Sequence, residues 1–181
     1  MFSPFKSTEK ACSVECAIAL IGTDEKTIAR AVRLAKKEAK ERDKARKEKL
    51  KRIPDLIKEA QIVFNAYIRQ RDEFRPCICC GRTEAMGYGL AAHGWDAGHY
   101  RSTGSASHLR FHEDNVHLQL VVCNRHGAGR AVDYRVGLIA RIGLERVEAL
   151  ESNNEVHKWT ADELRAIKAT YKAKLKELLN A

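Results

Sequence analysis

Two groups of cysteine and histidine stand out by their spacing. In Cys77-Ile78-Cys79-Cys80-Gly81, the outer thiols Cys77 and Cys80 are separated by two residues and followed by glycine. That is the geometry in which a tight turn points two sulfurs at one ion, as in a zinc knuckle. A structural Zn²⁺ site takes four ligands, so a second pair has to come from elsewhere. Cys123 and His126 repeat the two-residue spacing and are the candidates for it. Buried, inert thiols beside a hydrogen-bonded histidine would leave the same trace. Cys12 and Cys16 complete a set of six. Cysteines clustered in this way suit metal ligation or free thiols in a reducing compartment better than an evenly spread disulfide framework.

Between the two groups lie Trp95-Asp96-Ala97-Gly98-His99-Tyr100 and then Glu113-Asp114-Asn115-Val116-His117, ahead of Cys123-Asn124-Arg125-His126. His99, Asn115 and Asn124 in this order resemble the HNH (His-Me finger) nucleases. The longer stretches CICCGR, WDAGHYRSTGSASHLRFHEDNVH and VVCNRHGAGRAVDYRVGLIARIGLE are similar to the NinG (Rap) recombination proteins of lambdoid phages, over about the last two-thirds of the chain. The resemblance implies a small ββα-metal (HNH) core with a zinc knuckle over residues 75–131. It also implies a structure-selective DNA endonuclease acting on branched recombination intermediates such as Holliday junctions and D-loops. Paired incisions call for two active sites, so a homodimer is expected, with other phage recombination proteins as further partners.

Phosphodiester hydrolysis needs a base to activate water and a divalent cation to neutralise charge at the phosphate and the leaving oxygen. His99 is the expected general base, since histidine titrates near neutral pH. As the middle residue of the motif, Asn115 is expected to orient the His99 ring or to brace the loop. Asp96 and Asn124 offer oxygen ligands of the kind Mg²⁺ or Mn²⁺ prefers. Many HNH proteins carry the metal-binding residue immediately before the base, where this chain has Gly98. Arg101, Arg110, Arg125 and Arg130 surround the motif and are candidates for clamping DNA phosphates by bidentate contacts.

Two features depart from the family pattern. The first cysteine of the second knuckle pair falls on Leu120, which cannot ligate zinc, so either His126 or Cys79 has to complete the site with Cys77, Cys80 and Cys123. Cys12 and Cys16 resemble the later half of an N-terminal zinc ribbon whose preceding pair is missing, so residues 1–22 read as a partial remnant.

The elements that must position this chemistry read as mainly helical, an α+β chain. Residues 23–53 are rich in Ala, Lys, Arg and Glu with no glycine or proline, which predicts a long basic helical arm. Pro54 opens a second helix, 54–74, with Leu56, Ala60, Val63, Phe64, Tyr67 and Ile68 at core spacing. Residues 132–181 predict C-terminal helices, the first weakened by Gly137 and Gly143 and the last opened by a Thr160/Glu163 capping box.

With 33 Lys and Arg against 24 Asp and Glu, the net charge of +9 favours a polyanionic partner. No run of about 18 apolar residues occurs, and the opening MFSPFKSTEK lacks a secretory apolar region, so no membrane partner and the cytoplasm of a bacterial host are expected. The competing reading is a zinc-containing DNA-binding module, or an inactive copy, in which the HNH frame survives as scaffold. An RNA-binding helical protein rests on charge alone.

Overall fold

The computed structural model describes Ser13, Glu15, Cys16 and Ala19 together with residues 25–83 and 94–180. Cys12, His93 and most of the stretch read as a zinc-ribbon remnant lie outside the described residues. The chain divides after Lys51 into two units. In the first, helix α1 (Glu25–Lys49) has no buried residue, and Ile28, Val32 and Leu34 stay exposed. Composition alone sustains such a helix. Glu25 in its first turn and Arg46, Lys47 and Lys49 in its last complement the helix dipole.

The second unit is built from α2 (Ile53–Arg71), β1 (Trp95–His99), β2 (Val116–Leu120), α3 (Ala131–Ile142), α4 (Leu144–Ser152) and α5 (Ala161–Asn180). It is mainly helical with one two-stranded antiparallel sheet, in keeping with an α+β chain. Pro54 sits in the first turn of α2, and Leu56, Ala60, Phe64, Tyr67 and Ile68 form its buried stripe. α5 opens on the predicted capping box: Thr160 Oγ1 accepts from Glu163 N at 3.3 Å, and Glu163 Oε2 accepts from Thr160 N at 2.8 Å. These two helices share a core with the sheet. Phe64 meets Phe111 and Tyr171 edge-on at ring separations of 5.7 and 4.7 Å, and Ala97, Val116 and Leu164 close the cluster.

A second cluster lies on α3 and α4, where Tyr134, Leu138, Val147 and Leu150 enclose Ile78, Ala106 and Leu109. The two glycines of this region behave differently. Gly143 (φ 87°) separates α3 from α4, a backbone conformation that side chains rarely adopt. Gly137 lies inside α3 and, lacking a side chain, lets the chain pack against the helix: a Cβ there would lie 1.8 Å from the Ile78 carbonyl oxygen.

β1 and β2 pair in the register Trp95↔Leu120, Asp96↔Gln119, Ala97↔Leu118, Gly98↔His117 and His99↔Val116. A buried ionic cluster fixes β2 to the end of α2. Asp72 is fully buried, paired with Arg71 at 2.8 Å, and accepts the backbone N–H of Leu118 at 3.1 Å. Arg141 from α3 lies 3.6 Å away. Burial opposes ionisation of Asp72, but His117, Arg71 and the Leu118 N–H outweigh it and hold the carboxyl far below the usual carboxylate range. This cluster ties helix, strand and α3 together beneath the site.

Candidate functional site

After β2 the chain enters a π-helical turn, Val122–His126, and a 3₁₀ turn, Ala128–Arg130, before α3 begins. The arrangement brings His99, at the end of β1, and Asn124, in the turn after β2, onto one cleft of about 350 Å³ that Tyr100, Ser102, Gly129 and Tyr134 also line.

His99 Nε2 lies 3.0 Å from the Arg110 carbonyl oxygen. A carbonyl can only accept, so Nε2 carries the hydrogen and Nδ1 of the neutral ring keeps a lone pair. Burial lowers the His99 pKa, and the nearby Arg110 charge adds to it against the opposing Arg110 carbonyl bond. The ring is therefore neutral, and able to take a proton, at pH 7. Asn115 is fully buried. Its Nδ2 donates to the carbonyls of Arg101 (3.0 Å) and Leu109 (3.1 Å), and its Oδ1 accepts from Arg101 N (2.8 Å). Of the two tasks expected of it, this is bracing of the loop between the strands.

Asp96 and Asn124 touch: Asn124 Nδ2 donates to Asp96 Oδ2 at 2.9 Å. Arg125 grips the same carboxylate with both arms, Nε to Oδ2 at 2.9 Å and Nη2 to Oδ1 at 2.8 Å. Burial raises the Asp96 pKa, but Arg125 and Asn124 bring the net shift below the usual value. The cross-strand partner of Asp96, Gln119, is fully buried. Its Nε2 donates to Gly129 O at 2.9 Å and contacts Cys79 Sγ at 3.3 Å, while its Oε1 is buried with no hydrogen-bond partner among the described residues.

The four candidate arginines serve different ends. Arg101 caps the end of α4, donating to the Leu150 carbonyl at 2.8 Å and to Asn154 Oδ1 at 2.9 Å, so its donors are already engaged within the protein. Arg130 pairs with Asp133 at 2.8 Å, and Arg125 holds Asp96. Arg110 donates to Gln61 Oε1 at 3.3 Å and has no carboxylate partner among the described residues.

The cysteines converge beside this cleft. Ligand atoms of Cys77, Cys79 and Cys123 lie within 4.8 Å of one another, and Cys80 joins them through contacts with the Cys77 and Cys123 thiols. Of the two residues left open for the fourth position, Cys79 is in the cluster. His126 is exposed and lines a neighbouring groove with Cys80, Cys123 and Arg130, outside the close trio. Leu120 packs its side chain against Cys77 and Cys123, while its backbone N–H reaches Cys77 Sγ at 3.3 Å. Burial opposes the Cys77 thiolate, but the N–H groups of Leu120, Cys80 and Cys79 outweigh it and lower the pKa. Burial, with Cys77 as neighbour, pushes Cys79 up to about 12 and Cys80 up to about 11. Three thiols this close together, with Cys80 beside them, suit a soft or borderline ion such as Zn²⁺.

Spacing singled out the cysteines but not Gln119, whose one sequence signal is the glycine at position 98. No helix among the described residues is long and apolar enough to cross a membrane.

A family model described as "Bacteriophage Lambda NinG protein" matches residues 1–180. Protein ninG of Escherichia phage 933W is 51% identical over 142 residues, covering 78% of this chain and 67% of that protein. The ninG proteins of Escherichia phage lambda and Salmonella phage P22 are 51% and 50% identical over 138 and 135 residues, covering 76% and 75% of this chain. Those two alignments span 64% and 63% of the relatives' own length, a little under two thirds. No solved structure matches the chain. With a family model covering nearly its whole length and relatives at half identity, the chain belongs to the NinG family of bacteriophage lambda.

Proposed function

We propose that this protein is an HNH-type, metal-dependent DNA endonuclease that cuts branched recombination intermediates such as Holliday junctions and D-loops. The observation that carries the reading is the shared cleft of His99 and Asn124, with the His99 ring held by the Arg110 carbonyl so that Nδ1 is the free base. In this account His99 Nδ1 takes a proton from the water that attacks the scissile phosphorus. Asn115 keeps the loop, and with it the Arg101 backbone, in place.

Asp96 and Asn124 are hard oxygen donors in contact with each other, which fits Mg²⁺ or Mn²⁺. Such a cation would supply charge neutralisation at the phosphate and the leaving oxygen. Arg125 then exchanges Asp96 for a DNA phosphate, a change of partner that its exposure permits. Zn²⁺ on the four cysteines is structural in this reading. The basic arm α1 adds phosphate affinity, and symmetric incision of a junction would require a homodimer.

A second reading has its own observation. The bidentate Arg125–Asp96 pair satisfies the carboxylate without any ion, which suits a DNA-binding module that does not hydrolyse. Incubating the protein with a four-way junction and a matched linear duplex, with and without Mg²⁺ or Mn²⁺, separates the two. Metal-dependent nicking of the junction supports the nuclease; binding without any incision supports the module.

A further inference from the structure

The residue directly before the base is Gly98, which has no side chain to offer a cation. The space that a side chain there would enter is filled from the other strand. A Cβ built on Gly98 would lie 2.0 Å from Gln119 Oε1 and 2.9 Å from Gln119 Cδ. Gln119 is directly opposite Asp96 in the sheet, so the two side chains leave the same face of the ribbon.

The amide of Gln119 has a fixed sense. Gly129 O can only accept, so the atom 2.9 Å from it is the nitrogen, which also contacts Cys79 Sγ. The oxygen is thereby turned toward Gly98. It is buried and has no donor among the described residues, an arrangement that costs stability unless something at the site supplies positive charge. A neutral amide oxygen is an ordinary ligand of hard divalent cations. Two anchors on its nitrogen mean that little side-chain freedom is lost when the oxygen binds.

We infer that Gln119 Oε1 is an oxygen ligand of the divalent cation at Asp96 and Asn124, supplying from β2 the donor that Gly98 cannot supply from β1. The inference rests on the cation centre proposed above. It also gives the cysteine cluster a second role, because Cys79 helps to aim the ligand.

Mn²⁺ binding to the zinc-loaded protein without DNA, followed by electron paramagnetic resonance, tests it independently of cleavage. Asp96→Ala should abolish Mn²⁺ binding. Gln119→Met, which keeps the side chain's length and removes the amide with its Gly129 and Cys79 contacts, should weaken binding by at least about tenfold, with zinc content unchanged. Asp96-dependent binding that Gln119→Met leaves unaltered would overturn the role of Gln119 alone. Absence of Asp96-dependent binding in the unaltered protein would overturn the cation centre and Gln119 with it. If Gln119→Met does not fold, the unaltered protein labelled with ¹⁵N-glutamine decides. Its Gln119 side-chain amide resonance should shift on Mg²⁺ titration, and a resonance that stays in place at saturation would refute the inference.

Discussion

Replacing Gly137 with alanine sets two physical effects against each other. Alanine in a helix interior is favoured over glycine by about 1 kcal/mol, so propensity alone predicts a more stable protein. Gly137, however, faces the cysteine loop: the added Cβ would lie 1.8 Å from the Ile78 carbonyl oxygen, where approaches under 3.0 Å essentially never occur. The Cβ is fixed by the helix backbone and its partner is a backbone carbonyl, so no rotamer relieves the clash, and α3 and the loop must move apart by more than 1 Å. The loop is itself tied to β2 by Ile78 N to Leu118 O at 3.1 Å, and Ile78 is packed among Tyr134, Leu138 and Val147. Overpacking of this kind costs about 1–3 kcal/mol, more where nothing yields. With neither side able to yield, the cost falls at the upper end, about 3 kcal/mol, so packing outweighs propensity by about 2 kcal/mol and Tm should drop by roughly 4–8 °C. Displacement of Cys77 and Cys79 should also lower zinc retention. Thermal unfolding and zinc quantification of Gly137→Ala check both effects. A variant as stable as the parent, with full zinc, would show that the loop is not seated on α3 in this way.

Other consequences follow from the same contacts. Asp72→Asn leaves Arg71 and Arg141 without their buried counter-charge and should cost about 3–5 kcal/mol in denaturant unfolding. Because the folded state holds the Asp72 carboxyl below its ordinary pKa, the unfolded chain binds more protons in acid. The contribution of Asp72 is thus complete above about pH 4 and shrinks as the pH falls further, and the Asn variant should lose that part of the pH dependence. Cys79→Ala should reduce bound zinc while His126→Ala leaves it near the parent level; the opposite pattern in metal analysis would return His126 to the site. Arg101→Ala should lower stability by about 1–3 kcal/mol through loss of its charged hydrogen bonds to the end of α4. DNA affinity, measured at fixed salt, should change little, whereas a large drop would mean that Arg101 leaves its cap to bind phosphate.

Features set by local chemistry were legible in the sequence. Pro54, the apolar stripe of α2 and the Thr160/Glu163 box each follow from neighbours within a few residues. The meeting of His99 and Asn124 on one cleft depends instead on the pairing of β1 with β2. Features set by long-range packing were not legible. The strand Val-His-Leu-Gln-Leu alternates apolar and polar residues, a pattern that usually means one wet face, yet all five residues are buried. His117 lies beneath the Asp72 cluster, and Gln119, on the same face, beneath Gly129 and Cys79, so the polar face of the ribbon is covered as well as the apolar one. Asp72 ends a polar helical turn with nothing in its neighbours to mark it as buried. Arg101 looked like a phosphate clamp because the partners that engage it lie about fifty residues further along the chain.

Comparing His99→Ala with the unaltered protein on a four-way junction shows whether His99 acts as the base of a metal-dependent nuclease. His99 contributes its ring to the cleft and one hydrogen bond to the Arg110 carbonyl, so the variant should fold and bind the junction with similar affinity. It should lose Mg²⁺- or Mn²⁺-dependent cleavage by about 10²–10⁴-fold, the contribution of a positioned general base. Cleavage by His99→Ala at the parent rate would exclude His99 as the base.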